Sequence, residues 1–343
     1  MSPPVADMVP NGVPIVQIAP PNAAGLSYNR FDSFEVDSIG LIINNSRSDR
    51  ADYDSQLAGS IKGNPRLQHE SAMVILIEVT GSAPSQLRGP IEIAGDKGYG
   101  YKTDIIIVNP NGLVIDGVRF INIARMTLST GRPTFNDNGD LQWPGLQTLN
   151  VIGGDIIIER GGLDARGADS VDLYAQALQL NGKLYAHTLS LRLGSQSIDY
   201  RSGVATSNEA PNQRQMLLDS SELGGMYADR ITLVGSGAGL GVRLPPKVVT
   251  LPGEIQISVE GEIYDYSNPV GGLTAVDDDD TEPANRRAED GKACTYSENN
   301  VPADANDGQP DIDVLLIEDQ ETLGEIDADA DLDEVLVDFM RGA

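Results

Sequence analysis

Five side chains are the first candidates for acid–base or nucleophilic chemistry in this sequence. A serine hydrolase would use His69 or His187 as its base, yet neither lies near a Gly-x-Ser-x-Gly nucleophile elbow. Both are better explained as surface or structural histidines. Asp155, Asp164 and Asp172 are the candidates for a glycosidase carboxylate pair, and the sequence leaves open whether they share one face. We therefore expect no catalytic site.

Calcium ligands are the next candidates. Asp327, Asp329 and Asp331 have the spacing of the first half of an EF-hand loop. However, Leu332 occupies the sixth position, where glycine is needed, and Asp338 occupies the twelfth, where glutamate is usual. The stretch is better explained as a solvated acidic helix face.

Other cofactor signals are weak. The glycine-rich stretch 235–241 is not followed by the lysine and helix of a phosphate-binding loop, so it predicts a turn. Two histidines and the single Cys294 do not make a zinc site, and one cysteine excludes an intrachain disulfide. We expect neither a metal nor a cofactor.

The formal net charge of −27 is unevenly distributed. Residues 277–343 contain 22 acidic and 4 basic residues, a net charge of −18, which leaves −9 for the first 276 residues. Lysines and arginines form no basic patch, so we expect no nucleic-acid partner. The asymmetry predicts a folded body and a separate acidic tail.

Strand patterns dominate from residue 13 to about residue 265. Short runs rich in Val, Ile and Leu are separated by Gly, Asn and Asp, and helical periodicity is nearly absent. Residues 149–194 repeat strands and turns in rungs of about 20 residues, which is typical of a parallel β-helix. The apolar runs at 104–108 and 155–159 favour covered, parallel sheet over a β-sandwich, which stays the alternative fold.

The tetrapeptide Asn109-Pro110-Asn111-Gly112 separates two of the apolar runs. Asparagine tolerates left-handed backbone angles, proline fixes φ, and glycine accepts positive φ. The four residues therefore predict a rigid turn between two strands.

Two segments follow the β-rich body, which we place at residues 1–266. Residues 267–311 are polar, rich in Pro and Gly and nearly free of large apolar residues, so they predict a disordered acidic linker. Residues 312–343 carry apolar residues at spacings that predict one or two acidic amphipathic helices. No apolar run approaches the roughly 18 residues that a membrane helix needs.

Five phrases of the body occur in order. Residues 11–46 include the paired Asn44-Asn45, residues 104–117 include the Asn-Pro-Asn-Gly turn, and the others are 71–95, 128–133 and 224–243. Together they resemble the N-terminal domain of two-partner secretion exoproteins, of the filamentous haemagglutinin and contact-dependent growth inhibition type. One such phrase is weak evidence, but five in order across nearly the whole body are specific.

The resemblance implies a right-handed parallel β-helix with an N-terminal cap and extra antiparallel strands. It also implies a non-catalytic secretion-signal domain of a TpsA exoprotein, which is an adhesin or a growth-inhibition toxin carrier. An outer-membrane TpsB transporter of the Omp85 type would recognise it through periplasmic POTRA domains. By position, the recognition residues would be Asn44, Asn45, Asn109, Pro110, Asn111 and Gly112.

The resemblance also implies a location. The protein would be a monomer, secreted or held at the surface of a Gram-negative bacterium after passing through the periplasm, with a host or neighbouring bacterial cell as a further partner. The start, MSPPVADMVPNG, does not have the basic region and apolar core of a signal peptide. We therefore expect either that this route is not used or that the numbering begins after a leader.

Two other functions stay open. A β-helical carbohydrate-active enzyme or glycan-binding module predicts a groove of converging carboxylates along one face. An inert remnant predicts a folded domain that no transporter engages. A secretion domain predicts instead that changing Asn45 or Asn109 blocks export and spares the fold.

Overall fold

The structure, a computed structural model, describes residues 5–96, 100–136, 145–208, 216–221, 223–236, 241–250, 255–259, 263–264, 293–296 and 314–316. Within these residues every regular element is a β-strand. Most strands lie in three large sheets, here called A, B and C, and a smaller four-stranded sheet is called D.

Sheet A contains the following strands in spatial order: β1 (Val5–Met8), β2 (Pro14–Gln17), β4 (Leu41–Asn44), β9 (Pro90–Ala94), β12 (Val118–Ile121), β17 (Leu163–Asp164), β20 (Lys183–Tyr185), β25 (Gly225–Ala228) and β28 (Val248–Thr250). Sheet B contains β3 (Leu26–Phe31), β7 (Val74–Val79), β10 (Thr103–Val108), β13 (Ile123–Ser129), β18 (Ala168–Ala175), β21 (Thr188–Leu193), β26 (Arg230–Gly235), β29 (Ile255–Val259), β31 (Ala293–Tyr296) and β32 (Val314–Leu316).

Sheet C contains β8 (Ser85–Leu87), β11 (Leu113–Ile115), β16 (Asp155–Ile158), β19 (Ala177–Leu180), β24 (Met216–Ser220), β27 (Gly241–Arg243) and β30 (Ile263–Tyr264). Sheet D contains β14 (Arg132–Asn136), β15 (Gly145–Val151), β22 (Gln196–Asp199) and β23 (Ala205–Ser207). A separate hairpin is formed by β5 (Tyr53–Ser55) and β6 (Gly59–Ile61).

The chain visits sheets B, C and A in turn and then begins the next coil. Strands β7, β8 and β9 form one coil, and β10, β11 and β12 form the next, each strand pairing in parallel with its equivalent. The same order continues through β28. This is a parallel β-helix, so the predicted fold is confirmed and the β-sandwich is excluded, because sandwich strands pair antiparallel.

Aliphatic side chains fill the interior of the helix. In β10, Ile105 and Ile107 point inward and join a continuous column of buried residues that runs through the coils. Side chains of a strand alternate between its two faces, so Ile106 and Val108 point outward. They are nevertheless fully buried.

Sheet D explains why the outward side of sheet B is apolar. Its hairpins interrupt two coils, pair antiparallel with each other, and bring Leu149 and Ile198 onto Ile106 and Val108. A strand that is covered on both faces has no polar face, which accounts for the continuous apolar run at 104–108. Sheet D supplies the extra antiparallel strands that were expected.

An N-terminal cap covers the first coils of sheet A. Strand β1 pairs antiparallel with β2, and Ile61 of the hairpin packs with Ile15, Ile42 and Ala94. The hairpin is also held by a fully buried carboxylate of β9, which lies beneath it. Glu92 accepts hydrogen bonds from the Oγ of Ser55 (2.6 Å) and from the backbone N–H groups of Gln56 (2.9 Å) and Leu57 (3.0 Å).

The predicted linker and tail lie mostly outside the described residues, as does the acidic motif at 327–331. Two short pieces are described: β31, within the predicted linker, pairs antiparallel with β29, and β32, within the predicted helical tail, pairs with β31. Residues 314–316 are thus a strand rather than part of a helix, because the edge of sheet B offers unpaired backbone groups. The boundaries at 266 and 311 stay predictions. No helix long and apolar enough to cross a membrane occurs among the described residues.

Candidate functional site

Asn45 directly follows β4, at the corner where the chain leaves sheet A for the β5–β6 hairpin, and its side chain is fully buried. Its Nδ2 donates to the carbonyl of Ala72 (2.9 Å) and to the Oγ1 of Thr103 (3.0 Å), while its Oδ1 accepts from the N–H of Ala72 (2.7 Å). Its own N–H donates to the carbonyl of Ala94 (2.9 Å). One residue therefore joins three segments of the first coils.

The preceding Asn44 is also fully buried, and it fixes the cap. Its Nδ2 donates to the Oε1 of Gln17 (3.0 Å) and to the carbonyl of Lys62 (3.0 Å), and its Oδ1 accepts from the N–H of Ser46 (3.1 Å). These bonds connect β4 to the cap strand β2 and to the segment that follows the hairpin. Every polar atom of this amide is satisfied within the protein.

Asn109-Pro110-Asn111-Gly112 forms the predicted turn, between β10 of sheet B and β11 of sheet C. The buried Asn109 accepts the N–H of Asn111 on its Oδ1 (2.9 Å), and the N–H of Gly112 donates to the Asn109 carbonyl (3.0 Å). Gly112 has a φ of 118°, which disfavours any other residue. Pro110 is half-buried and Asn111 is exposed.

The turn is also tied to the preceding coil. Asn109 Nδ2 donates to the carbonyl of Ala83 (3.0 Å) and to the Oγ of Ser85 (3.0 Å), and Asn111 Nδ2 donates to the carbonyl of Gly81 (2.7 Å). The motif is thus a corner that holds two coils in register.

A second turn of the same kind was missed by the sequence reasoning. In Asn64–Leu67 the buried Asn64 accepts the N–H of Arg66 on its Oδ1 (3.0 Å), and the N–H of Leu67 donates to its carbonyl (2.9 Å). Its Nδ2 donates to the carbonyls of Ile18 (3.0 Å) and Asn44 (3.0 Å). The signal that could have revealed it is the repeated Asn-Pro dipeptide at 64–65 and 109–110.

The structure does not bring the six predicted recognition residues together. Asn45 binds Thr103 at the start of β10, whereas Asn109 directly follows the end of that strand. A six-residue strand spans about 20 Å. The residues therefore belong to two separate corners, and the three asparagines at 44, 45 and 109 are buried.

The candidate catalytic residues are also separated. Asp155 lies in β16 of sheet C, Asp164 in β17 of sheet A and Asp172 in β18 of sheet B, so the three carboxylates are on three faces. Asp164 binds Arg166 (2.7 Å), and Asp172 binds Arg125. No groove of converging carboxylates is formed by these three residues.

The histidines show a similar result. His69 is exposed in the corner after Leu67, and Nδ1 of the exposed His187 contacts Oδ2 of Asp229 (3.0 Å), which makes a surface pair. In the described part of the chain no group of three or more His, Cys, Asp or Glu side chains is arranged to hold a metal ion. Cys294 lies in β31.

An open cleft of about 540 Å³ lies above the Asn44–Asn45 corner. Residues of four segments line it: 23–25, 46–54, 69–73 and 95–96. Asn45 is linked to three of these segments. Ser46 follows it directly, its hydrogen-bond partner Ala72 lies between the lining residues Ser71 and Met73, and its partner Ala94 precedes the lining residue Gly95. The buried Asn45 is therefore bonded to the backbone of segments that line the cleft.

Comparison with known proteins agrees with this architecture. The family model described as the TPS secretion domain matches residues 6–264, the extent of the β-helix from β1 to β30. This chain belongs to the TPS secretion domain family. The resemblance found in the sequence is thereby confirmed.

Relatives of the TPS domain are much longer proteins. The tRNA nuclease CdiA of Yersinia mollaretii is 37% identical over 257 residues, and Toxin CdiA of Escherichia coli is 37% identical over 271 residues. These alignments cover 75% and 79% of this chain but 8% of each relative. The crystal structure of a filamentous hemagglutinin secretion domain matches with a TM-score of 0.65 at 30% identity, covering 77% of this chain and 94% of that one.

Charged side chains surround the cleft of this TPS domain. Arg47 forms a bidentate ion pair with Asp49, and this hydrogen bonding lowers the pKa of the Asp49 carboxyl. The hydrogen bond to Asp49 is also the main cause of the raised pKa of the Arg47 guanidinium, and the nearby Asp96 and Glu70 add to it. Asp52 and Asp54 add further exposed carboxylates to the lining. The cleft is thus acidic, and one of its two guanidinium groups, that of Arg47, is paired with a carboxylate.

Proposed function

We propose that this chain is the export signal of a TpsA-type exoprotein and that an outer-membrane TpsB transporter recognises it through periplasmic POTRA domains. The observation that carries the proposal is the family match over residues 6–264, which coincides with the β-helix and its cap. The domain acts as a docking module and has no catalytic role of its own. The protein is then secreted or held at the surface of a Gram-negative cell.

The names of the relatives suggest what such a signal carries. Those proteins are described as a toxin and as tRNA nucleases, and this chain spans about 8% of their length. We propose that the domain leads a growth-inhibition or adhesive exoprotein, which acts on a host or neighbouring bacterial cell.

Export is the direct test. The full chain is placed behind a signal peptide in a Gram-negative host, with or without the cognate TpsB transporter, and the medium and the periplasm are compared. The proposal predicts protein in the medium only when the transporter is present. Equal amounts in both strains, or retention in both, would contradict it.

A test of whether the Asn-Pro-Asn-Gly corner contributes to recognition needs a control variant of equal stability, because Asn109 is buried and hydrogen-bonded. Asn109→Ala is compared with Val171→Ala, a core change distant in sequence from the motif. If Asn109→Ala reduces export far more than an equally destabilised Val171→Ala, the corner contributes to recognition. Equal losses would assign the corner to folding alone.

A further inference from the structure

A buried signature residue requires an indirect role in recognition. The side chains of Asn44 and Asn45 have no exposed surface, so a partner protein does not touch them in the folded domain. Asn45 acts instead through the groups it holds, which are Ala72, Thr103 and Ala94. Two of these three groups are flanked by residues that line the cleft above it.

Five residues on the cleft or beside it are of types that protein interfaces favour. Met73 on the lining is 52% exposed, and Tyr101 is 66% exposed just before the neighbouring strand of sheet B. Tyr53, Arg47 and Arg50 also line the cleft. Tyrosine, methionine and arginine are residue types enriched in the cores or hot spots of protein interfaces. Large apolar side chains on the remaining surface of a protein are normally isolated from one another.

Charge indicates which partner the cleft accepts. Four exposed carboxylates and two guanidinium groups line the cleft. One of these guanidinium groups, that of Arg47, already pairs with Asp49. Opposite charges at an interface accelerate association and suppress wrong partners. A basic segment fits this lining, and the open form of the cleft admits an extended chain.

From this arrangement we propose that the cleft above Asn45 is the surface by which the domain docks on its transporter. The occupant is an extended, basic polypeptide segment of the transporter's periplasmic part. This inference rests on the proposed function and adds the location and chemistry of the contact. Asn45 is then a positioning residue that holds Ser71, Met73 and Gly95 in the arrangement that the partner meets.

Binding of the purified full chain to the detergent-solubilised cognate transporter tests the inference. Met73→Glu removes the exposed apolar contact, and the double variant Asp52→Lys/Glu70→Lys reverses the charge of the lining. The matched controls are Leu223→Glu, which is 55% exposed on another corner, and Glu35→Lys/Asp37→Lys, two exposed carboxylates near sheet C. Circular dichroism and thermal unfolding verify that each variant is folded.

We expect each cleft variant to weaken binding by about tenfold or more, as hot-spot changes do, and each control by less than about twofold. Wild-type affinity should also fall as salt is raised, because ion pairs at an open surface are screened. If the wild type binds and is exported while cleft variants behave like their controls, the cleft inference is overturned and the proposed function stands. If the wild type neither binds nor is exported, the proposed function fails as well.

Discussion

At the scale of single residues, the signature asparagines are hydrogen-bond centres of the β-helix corners. A buried backbone group that loses its partner costs free energy, and an asparagine side chain supplies both a donor and an acceptor. Asn45 satisfies both backbone groups of Ala72, and Asn109 fixes its own turn and the coil before it. Their burial therefore argues against the sequence-based expectation that changing these residues spares the fold.

We expect Asn45→Ala to destabilise the protein by roughly 2–5 kcal/mol, because it leaves the N–H and carbonyl of Ala72 without partners inside the protein. Asn111→Ala, at the exposed position of the other corner, should cost less than about 1 kcal/mol. Urea unfolding followed by circular dichroism measures both. Equal effects of the two changes would show that the Asn45 hydrogen bonds contribute little.

The buried tyrosine under sheet D should make stability depend on alkaline pH. Burial raises the pKa of Tyr174 from 10.0 to about 12, and the negative charge of Asp172 contributes to this increase. Between these values the folded state keeps a proton that the unfolded chain has lost, so the free energy of unfolding falls as pH rises. This contribution is on the order of 2 kcal/mol, present below pH 10 and lost by about pH 12.

Tyr174→Phe should therefore make the loss of stability between pH 10 and pH 12 less steep. The measurement is the free energy of unfolding by urea at several pH values from 8 to 12. The variant also loses the hydrogen bond from Arg125 (3.1 Å), so its stability at pH 8 is expected to be lower as well. An unchanged slope would mean that Tyr174 does not titrate in this range.

At the scale of strands, two identical tetrapeptides have different surroundings. Residues 104–107 and 155–158 both read Asp-Ile-Ile-Ile. The middle isoleucine of the first, Ile106, is fully buried between sheets B and D, whereas the corresponding Ile157 on sheet C is partly exposed. The covering layer, rather than the strand's own sequence, produces this difference.

Ile106→Ala is expected to cost about 2–5 kcal/mol, since it removes buried methyl groups and leaves a cavity under sheet D. Ile157→Ala, the matched control, should cost less than about 1.5 kcal/mol, because solvent fills the space. The free energies of unfolding of the two variants, obtained from denaturant midpoints and slopes, give the two costs. A similar cost for both would argue that sheet D does not pack on sheet B in solution.

At the scale of the whole molecule, the family match and the continuous B–C–A coils end at nearly the same residue, 264. The acidic segment that follows carries most of the negative charge. A β-helix is stabilised mainly by contacts between neighbouring coils, so we expect the coils before this point to be stable without the acidic segment.

Limited proteolysis should convert the chain into a core that ends near residue 264 and keeps the thermal midpoint of the intact protein. Mass spectrometry of the core gives its ends, and thermal unfolding by circular dichroism gives the midpoint. A protected fragment that reaches residue 316, or a lower midpoint for the shorter core, would contradict this expectation. It would show that β31 and β32 stabilise the end of sheet B.

The sequence by itself determined the features that depend on local chemistry. Rungs of apolar residues predict stacked parallel strands, and Asn, Pro and Gly at 109–112 predict a corner, because these residues restrict or permit particular backbone angles. The ordered phrases were enough to identify the family. The second Asn-Pro turn, at 64–67, depends on the same local chemistry.

Only the tertiary structure decided which residues meet. Asp155, Asp164 and Asp172 lie within 18 positions of sequence but on three sheets, because each coil turns through all three. Asn45 and Thr103, 58 positions apart, are in contact because coils stack. The burial of the signature asparagines, the cover on Ile106 and the cleft above Asn45 depend on such long-range contacts, which no local pattern encodes.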